Sequence, residues 1–220
     1  MNIKNNLNNI RQNLPPDCKL IAVTKTKPLE KIMEAYQEGH RLFGENKVQE
    51  LIPKYEALPK DIIWHMIGHL QSNKVKYIAP FVGMIHSVDS VRLLEEINKQ
   101  AMRSKRTIPC LLQVHIAEEE TKFGFSSQEV LEFLQSFRTT ELMNVKICGL
   151  MGMATLTENE GQVRKEFRTL KKLFEELKSS VLTDGVEMKE LSMGMSGDYK
   201  VAIEEGSTMI RVGSAIFGER

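Results

Sequence analysis

Short apolar runs alternate with amphipathic stretches eight times along this 220-residue chain, and that alternation leaves few folds open. The runs cover 20–24, 41–43, 63–67, 83–86, 109–116, 146–150, 190–192 and 209–212. Most are rich in β-branched and other apolar side chains, as strands buried on both faces are. The second and seventh are weak, and periodicity alone would miss them. Between the runs, apolar residues return at helical spacing. Leu29, Ile32, Met33 and Tyr36 form one stripe, and Val48, Leu51, Ile52 and Tyr55 a second. Val91, Leu94, Ile97 and Ala101 form a third, and Val163, Phe167, Leu170, Phe174 and Leu177 the longest. Pro53 sits awkwardly inside the second stripe, because it removes a helical N–H. Ser126 with Glu129, and Thr157 with Glu160, read as capping boxes at two helix starts.

Parallel strands need crossovers, and helices supply them. Eight strand–helix units therefore predict a single (β/α)8 TIM barrel spanning 1–220 as one domain, with an open doubly wound sheet as the competitor. The segment 3–14 reads as an extra N-terminal helix, placed to cover the barrel floor.

Charge then excludes whole classes. With 30 Lys and Arg against 29 Asp and Glu, the net charge is +1, which is wrong for a strongly basic nucleic-acid binder. No window approaches about 18 apolar residues, and the N-terminus MNIKNNLNNIRQNL has no apolar stretch, so neither a membrane span nor a signal peptide is expected. Cys18, Cys110 and Cys148 lie far apart with no CxxC pair and no zinc-like spacing. The expectation is a cytoplasmic protein with no metal and no disulfide.

In parallel barrels the chemistry gathers at the carboxyl ends of the strands. Lys25 stands at the first of these. It is either a solvated charge or an amine held among apolar neighbours, which loses charge more easily and becomes a Schiff-base nucleophile. Lys27 would face the same side if the strand continued, adding a second cation. Gly194, Ser196 and Gly197 follow the seventh run, and Gly213 and Ser214 follow the eighth. They are either tight loops or a cradle for phosphate, whose usual place in such barrels is between these two loops. Arg211 lies within the last run, where a charge must aim at a ligand or turn outward to a helix acid. His65 and His86 read as core histidines, and His69 opens a loop where it could touch a ligand. Met151, Met153, Met193 and Met195 either pack the upper barrel or line a flat ring site. Glu118, Glu119 and Glu120 read as a solvated loop. No Ser/His/Asp order, Walker loop or metal motif is present.

At these residues the chain resembles the pyridoxal 5′-phosphate (PLP) homeostasis proteins, the YggS/PROSC family. The matching segments are IAVTKTKP (21–28), FGENKVQEL (43–51), WHMIGHLQSNK (64–74), IHSVDS (85–90), ICGLMGMA (147–154), LSMGMSGDY (191–199) and STMIRVGSAIFGER (207–220). The resemblance implies a barrel like the N-terminal domain of alanine racemase, with PLP held as a Schiff base on Lys25. It implies Asn46 near the ring, Arg211 at the pyridine nitrogen, and Ser196, Gly213 and Ser214 around the phosphate. Thr24, Lys47, His115 and Ser214 depart from the family's usual residues, and Thr24 and Ser214 keep a hydroxyl.

The resemblance further implies a monomeric PLP carrier and regulator with no established catalytic turnover, whose partners are PLP-dependent apo-enzymes; from charge and hydropathy, neither a membrane nor a nucleic-acid partner is expected. The alternative is a PLP-dependent amino-acid racemase, and a third reading is a barrel without cofactor. Racemases of this fold add a domain bearing a catalytic tyrosine. Here Arg220 follows closely on the eighth run, so no such domain is expected. Of the tyrosines, only Tyr199 lies near a site loop.

Overall fold

The computed structural model describes residues 2–118, 123–136, 141–180 and 184–219. The strands are β1 (Lys19–Val23), β2 (Leu42–Glu45), β3 (Ile63–Met66), β4 (Met84–Val88), β5 (Ile108–Gln113), β6 (Val145–Met151), β7 (Val186–Ser192) and β8 (Met209–Val212). They form one closed barrel in chain order. All pairings are parallel, and β1 meets β8 with Ile21 opposite Arg211. That seam excludes the open doubly wound sheet.

Helices pack around the strands: α1 (Ile3–Gln12), α2 (Leu29–Gln37), α3 (Val48–Ala57), α4 (Val75–Ile78), α5 (Val91–Arg103), α6 (Ser127–Gln135), α7 (Glu160–Ser180), α8 (Tyr199–Glu204) and α9 (Ser214–Phe217). Two apolar layers result. Outward strand residues such as Phe43 and Trp64 join the helix stripes, among them Leu94, Ile97, Phe167 and Leu170, in the main core. Each buried side chain of this size contributes about 1.5–3 kcal/mol. Inside the barrel lies a smaller cluster of Ile21, Met84, Leu111, Met151 and Met209. Side chains alternate along a strand. The next inward positions toward the carboxyl ends are therefore Val23, His86, Gln113 and Arg211, and the barrel turns polar as it approaches its mouth.

Some sequence expectations need correction. The extra helix α1 packs against α2 and α9 on the outside of the barrel rather than across its floor. It buries Ile3, Leu7 and Ile10, and Asn6 Nδ2 donates to the Ile216 carbonyl at 2.9 Å. The cap of α7 is Asn159, whose Oδ1 accepts from the Gln162 N–H at 3.2 Å, while the Thr157 hydroxyl, two residues earlier, accepts from the Asn159 N–H. The Ser126–Glu129 capping box is formed. Helix α3 runs through Pro53 because Val48, Leu51 and Lys54 are all buried on one side of it. Glu118 is exposed, whereas Glu119 and Glu120 lie outside the described residues.

Candidate functional site

The carboxyl ends of β1, β2, β3, β6, β7 and β8 enclose a cavity of about 540 Å³. That volume suits a small-molecule ligand. Lys25, Asn46, Ser196, Arg211, Gly213 and Ser214 all line it, together with Met153, Met195 and Asp198. The methionines divide: Met151 and Met193 are buried in the barrel wall, and only Met153 and Met195 reach the cavity.

The loop bearing Lys25 is held from below. The chain leaves β1 at Val23 and turns, with the Lys27 N–H donating to the Thr24 carbonyl at 3.0 Å. Thr26 adopts a φ of 62°, uncommon for a threonine. Three residues from β2 and α3 fix this turn. Lys54 Nζ donates to Thr24 O at 2.8 Å and to Glu45 Oε1 at 2.6 Å. The Thr24 hydroxyl donates to the same Glu45 oxygen, and Glu50 Oε2 accepts from the Thr26 N–H at 2.7 Å. Burial raises the Glu45 carboxyl, against the hydrogen bonds from Lys54 and Thr24. Within this frame, no described residue is hydrogen-bonded to the Lys25 amine or ion-paired with it.

β1 ends at Val23 and does not continue to Lys27, which nevertheless lines the same cavity as Lys25. The Lys27 amine donates to the carbonyls of Gly218 and Glu219, at 2.8 and 3.0 Å, and ties the β1–α2 loop to the segment after β8.

Across the cavity, Ser196 Oγ accepts from the Gly213 N–H at 3.1 Å and from the Ala215 N–H at 3.5 Å. Two backbone N–H donors thus converge on the Ser196 hydroxyl in a cavity-lining loop, an arrangement that an anion can take over. Asp198 Oδ1 accepts from the Met195 N–H and shapes this loop. Burial raises its carboxyl, while the Arg211 charge acts to lower it.

Arg211 points inward rather than toward an outer helix. It is 4% exposed. Its Nη1 donates to Ser192 Oγ at 2.6 Å and its Nη2 to the Gly152 carbonyl at 3.0 Å. Burial draws it down to about 10, so it remains charged at neutral pH. Among the described residues it makes no ion pair, although Asp198 acts on it through space. A buried cation held by neutral acceptors alone suits an electron-rich ligand.

His69 does not line the cavity. It pairs with Asp89 at 3.0 Å and packs on Phe123. Tyr199 begins α8 and packs on the main core. Reasoning from sequence missed Glu45, Glu50, Lys54 and Ser192. Glu45 reads as one of the polar residues after the second run, Glu50 and Lys54 lie within the second helical stripe, and Ser192 reads only as part of the seventh run. The one available signal was an acid in β2 with a lysine nine residues on, able to meet across a strand–helix turn.

Residues 1–220 match the model of the family described as "Alanine racemase, N-terminal domain". The pyridoxal phosphate homeostasis protein of Aquifex aeolicus is 45% identical over 203 residues, 92% of this chain and 87% of its own length. The structure of PipY from Synechococcus elongatus without PLP aligns with a TM-score of 0.92 at 38% identity, covering 98% of this chain and all of that one. The same protein with PLP bound aligns with a TM-score of 0.85 at 37% identity over the same extents. An alanine racemase of Clostridium difficile shares the fold at 17% identity, with a TM-score of 0.77, this chain covering 56% of it. Similarity this extensive, across sequence and barrel alike, makes the chain a member of the pyridoxal phosphate homeostasis proteins, within the alanine racemase N-terminal domain family.

Proposed function

We propose that this protein binds PLP on Lys25 and then releases it to apo-enzymes, without turning over amino acids itself. One observation carries this reading. A lysine amine free among the described residues, a pair of N–H donors converging on a hydroxyl, and a buried guanidinium share one cavity. The names of the relatives and the PLP-bound PipY structure support it.

When bound, PLP supplies an aldehyde that bonds reversibly to an amine, a phosphate, and a pyridine nitrogen para to the aldehyde carbon. We assign Lys25 Nζ to the aldehyde, and Ser196, Gly213 and Ser214 to the phosphate. Arg211 is the buried donor left for the ring nitrogen, and Asn46 is assigned to the ring. A permanent cation facing that nitrogen disfavours its protonation, which weakens the ring as an electron sink and so weakens carbanion chemistry. Met153 and Leu156 are exposed beside the cavity, leaving a route for exchange with other amines.

Borohydride reduction followed by peptide mass spectrometry tests the site. The reduced adduct is expected on Lys25, and Lys25→Ala should lose both the adduct and the near-ultraviolet to visible band. An adduct found only on another lysine defeats the assignment. For the absence of turnover, racemisation of a common amino acid above about 1 s⁻¹, abolished in Lys25→Ala, would favour the racemase reading instead.

A further inference from the structure

Below the cavity a line of hydrogen bonds crosses the barrel interior. Arg211 of β8 donates to Ser192 Oγ of β7 at 2.6 Å. His86 Nδ1 of β4 lies 3.0 Å from that same oxygen. His86 Nε2 lies 2.8 Å from His65 Nδ1 of β3. Ser192 and His86 are fully buried, and His65 is 4% exposed. Such inward barrel positions are ordinarily filled by branched apolar residues.

The directions of these bonds follow from what each group can do. Arg211 can only donate, so Ser192 Oγ accepts from it. Burial holds both imidazoles neutral: it draws His65 down to about 3 and His86 well below its ordinary range, and the Arg211 charge acts on His86 in the same direction. In a neutral imidazole one nitrogen donates and the other accepts. Among the described residues Ser192 Oγ is hydrogen-bonded only to Arg211 and His86. Its proton therefore goes to His86 Nδ1, and the His86 Nε2–H goes to His65 Nδ1. The line then runs in one sense, from guanidinium to the far histidine. It leaves the serine lone pair aimed at Arg211. With the Gly152 carbonyl on Nη2, two fixed acceptors set the plane of the guanidinium.

We propose that His86, backed by His65 and acting through Ser192, is a positioning residue that fixes the Arg211 donor toward the ligand's pyridine nitrogen. This rests on the reading of the cavity as a PLP site. His86 would then govern the electronic state of the bound ring more than the strength with which PLP is held.

The test uses the PLP-loaded full chain. In His86→Leu the visible absorbance band should shift, with the Lys25 adduct still trapped by borohydride and PLP affinity lowered by no more than about tenfold. His86→Asn, whose Oδ1 can accept from Ser192, should restore the band. In the Arg211→Gln background, His86→Leu should add no further shift. An unchanged band in His86→Leu, or a shift that adds to that of Arg211→Gln, overturns the proposal. Should these variants fail to fold, ¹⁵N-histidine spectra of the unaltered protein decide. An unprotonated His86 Nδ1 whose resonance moves on PLP addition supports it, whereas a protonated Nδ1, or no movement with PLP bound, overturns it. If the unaltered protein traps no PLP, the PLP reading itself fails, which is a separate result.

Discussion

Gly213 shows how narrowly the phosphate end of the cavity is drawn. A Cβ there would sit 3.1 Å from the Val23 carbonyl and 3.3 Å from the Val23 Cβ, on the neighbouring strand across the seam. The backbone N–H at this position also points at the Ser196 hydroxyl, where the donors converge. Gly213→Leu should displace that donor and crowd the space beside it. Loss of one hydrogen bond to a charged group costs about 1.5–3 kcal/mol, or about 10–100-fold in affinity. Titrations with PLP and with unphosphorylated pyridoxal separate the causes. PLP should lose affinity and pyridoxal much less, whereas equal losses would remove the phosphate from this loop.

At the scale of single elements, β6 carries a tightly constrained backbone at Gly149. Gly149 has a φ of 148°, and a Cβ on it would lie 1.8 Å from the Glu190 carbonyl of β7. The register shifts here on both sides, between Cys110 and Leu111 against β5 and between Ile147 and Gly149 against β7. Gly149→Ala should therefore cost more than about 4 kcal/mol, or prevent folding, a loss that thermal denaturation would show. An alanine variant melting with the parent would mean that the bulge relaxes freely. The strands also show what a sequence discloses. β4, β5 and β6 are legible because buried apolar residues dominate each of them. β2 and β7 hide because their charges are satisfied by partners on other elements. Glu45 of β2 is fully buried against Lys54, and in β7 Glu187 pairs with Lys146 while Glu190 pairs with Lys19. The same blindness covers the site. Lys25, Ser196, Arg211, Gly213 and Ser214 can be read from their places at strand ends, and Asn46 from the resemblance, but the supports beneath Lys25 and Arg211 depend on pairings between elements, of which the Glu45–Lys54 spacing is the only local trace among the described residues.

Taken whole, the molecule should be acid-sensitive through its histidines. Burial draws His40 down to about 4 and His65 to about 3, and holds His86 low as well. Below about pH 6.5 the unfolded chain takes up protons that the native state refuses. Stability is therefore complete above that pH and falls as pH drops, by about 1.4 kcal/mol per unit for each histidine, down to about 4 for His40 and about 3 for His65. Urea denaturation at pH 7.5 and 5.0 should show the decline, and His40→Gln should flatten part of it. Equal stability at both values would mean that these rings already take protons in the native state.

The seam between β1 and β8 has a consequence for biosynthesis. Lys25 stands on one side of it, Arg211, Gly213 and Ser214 on the other, and Lys27 clips across to the carbonyls of Gly218 and Glu219. The two walls come from the first and last strands of the barrel, so the receptor does not exist on a ribosome until β8 has emerged. A molecule touching both walls acts as a clasp on a finished ring and has no grip on a partial one. At a hundredfold excess over its dissociation constant it would hold the ring shut by about 2.7 kcal/mol. The lifetime of the protein in a cell should then follow the supply of the molecule that it binds.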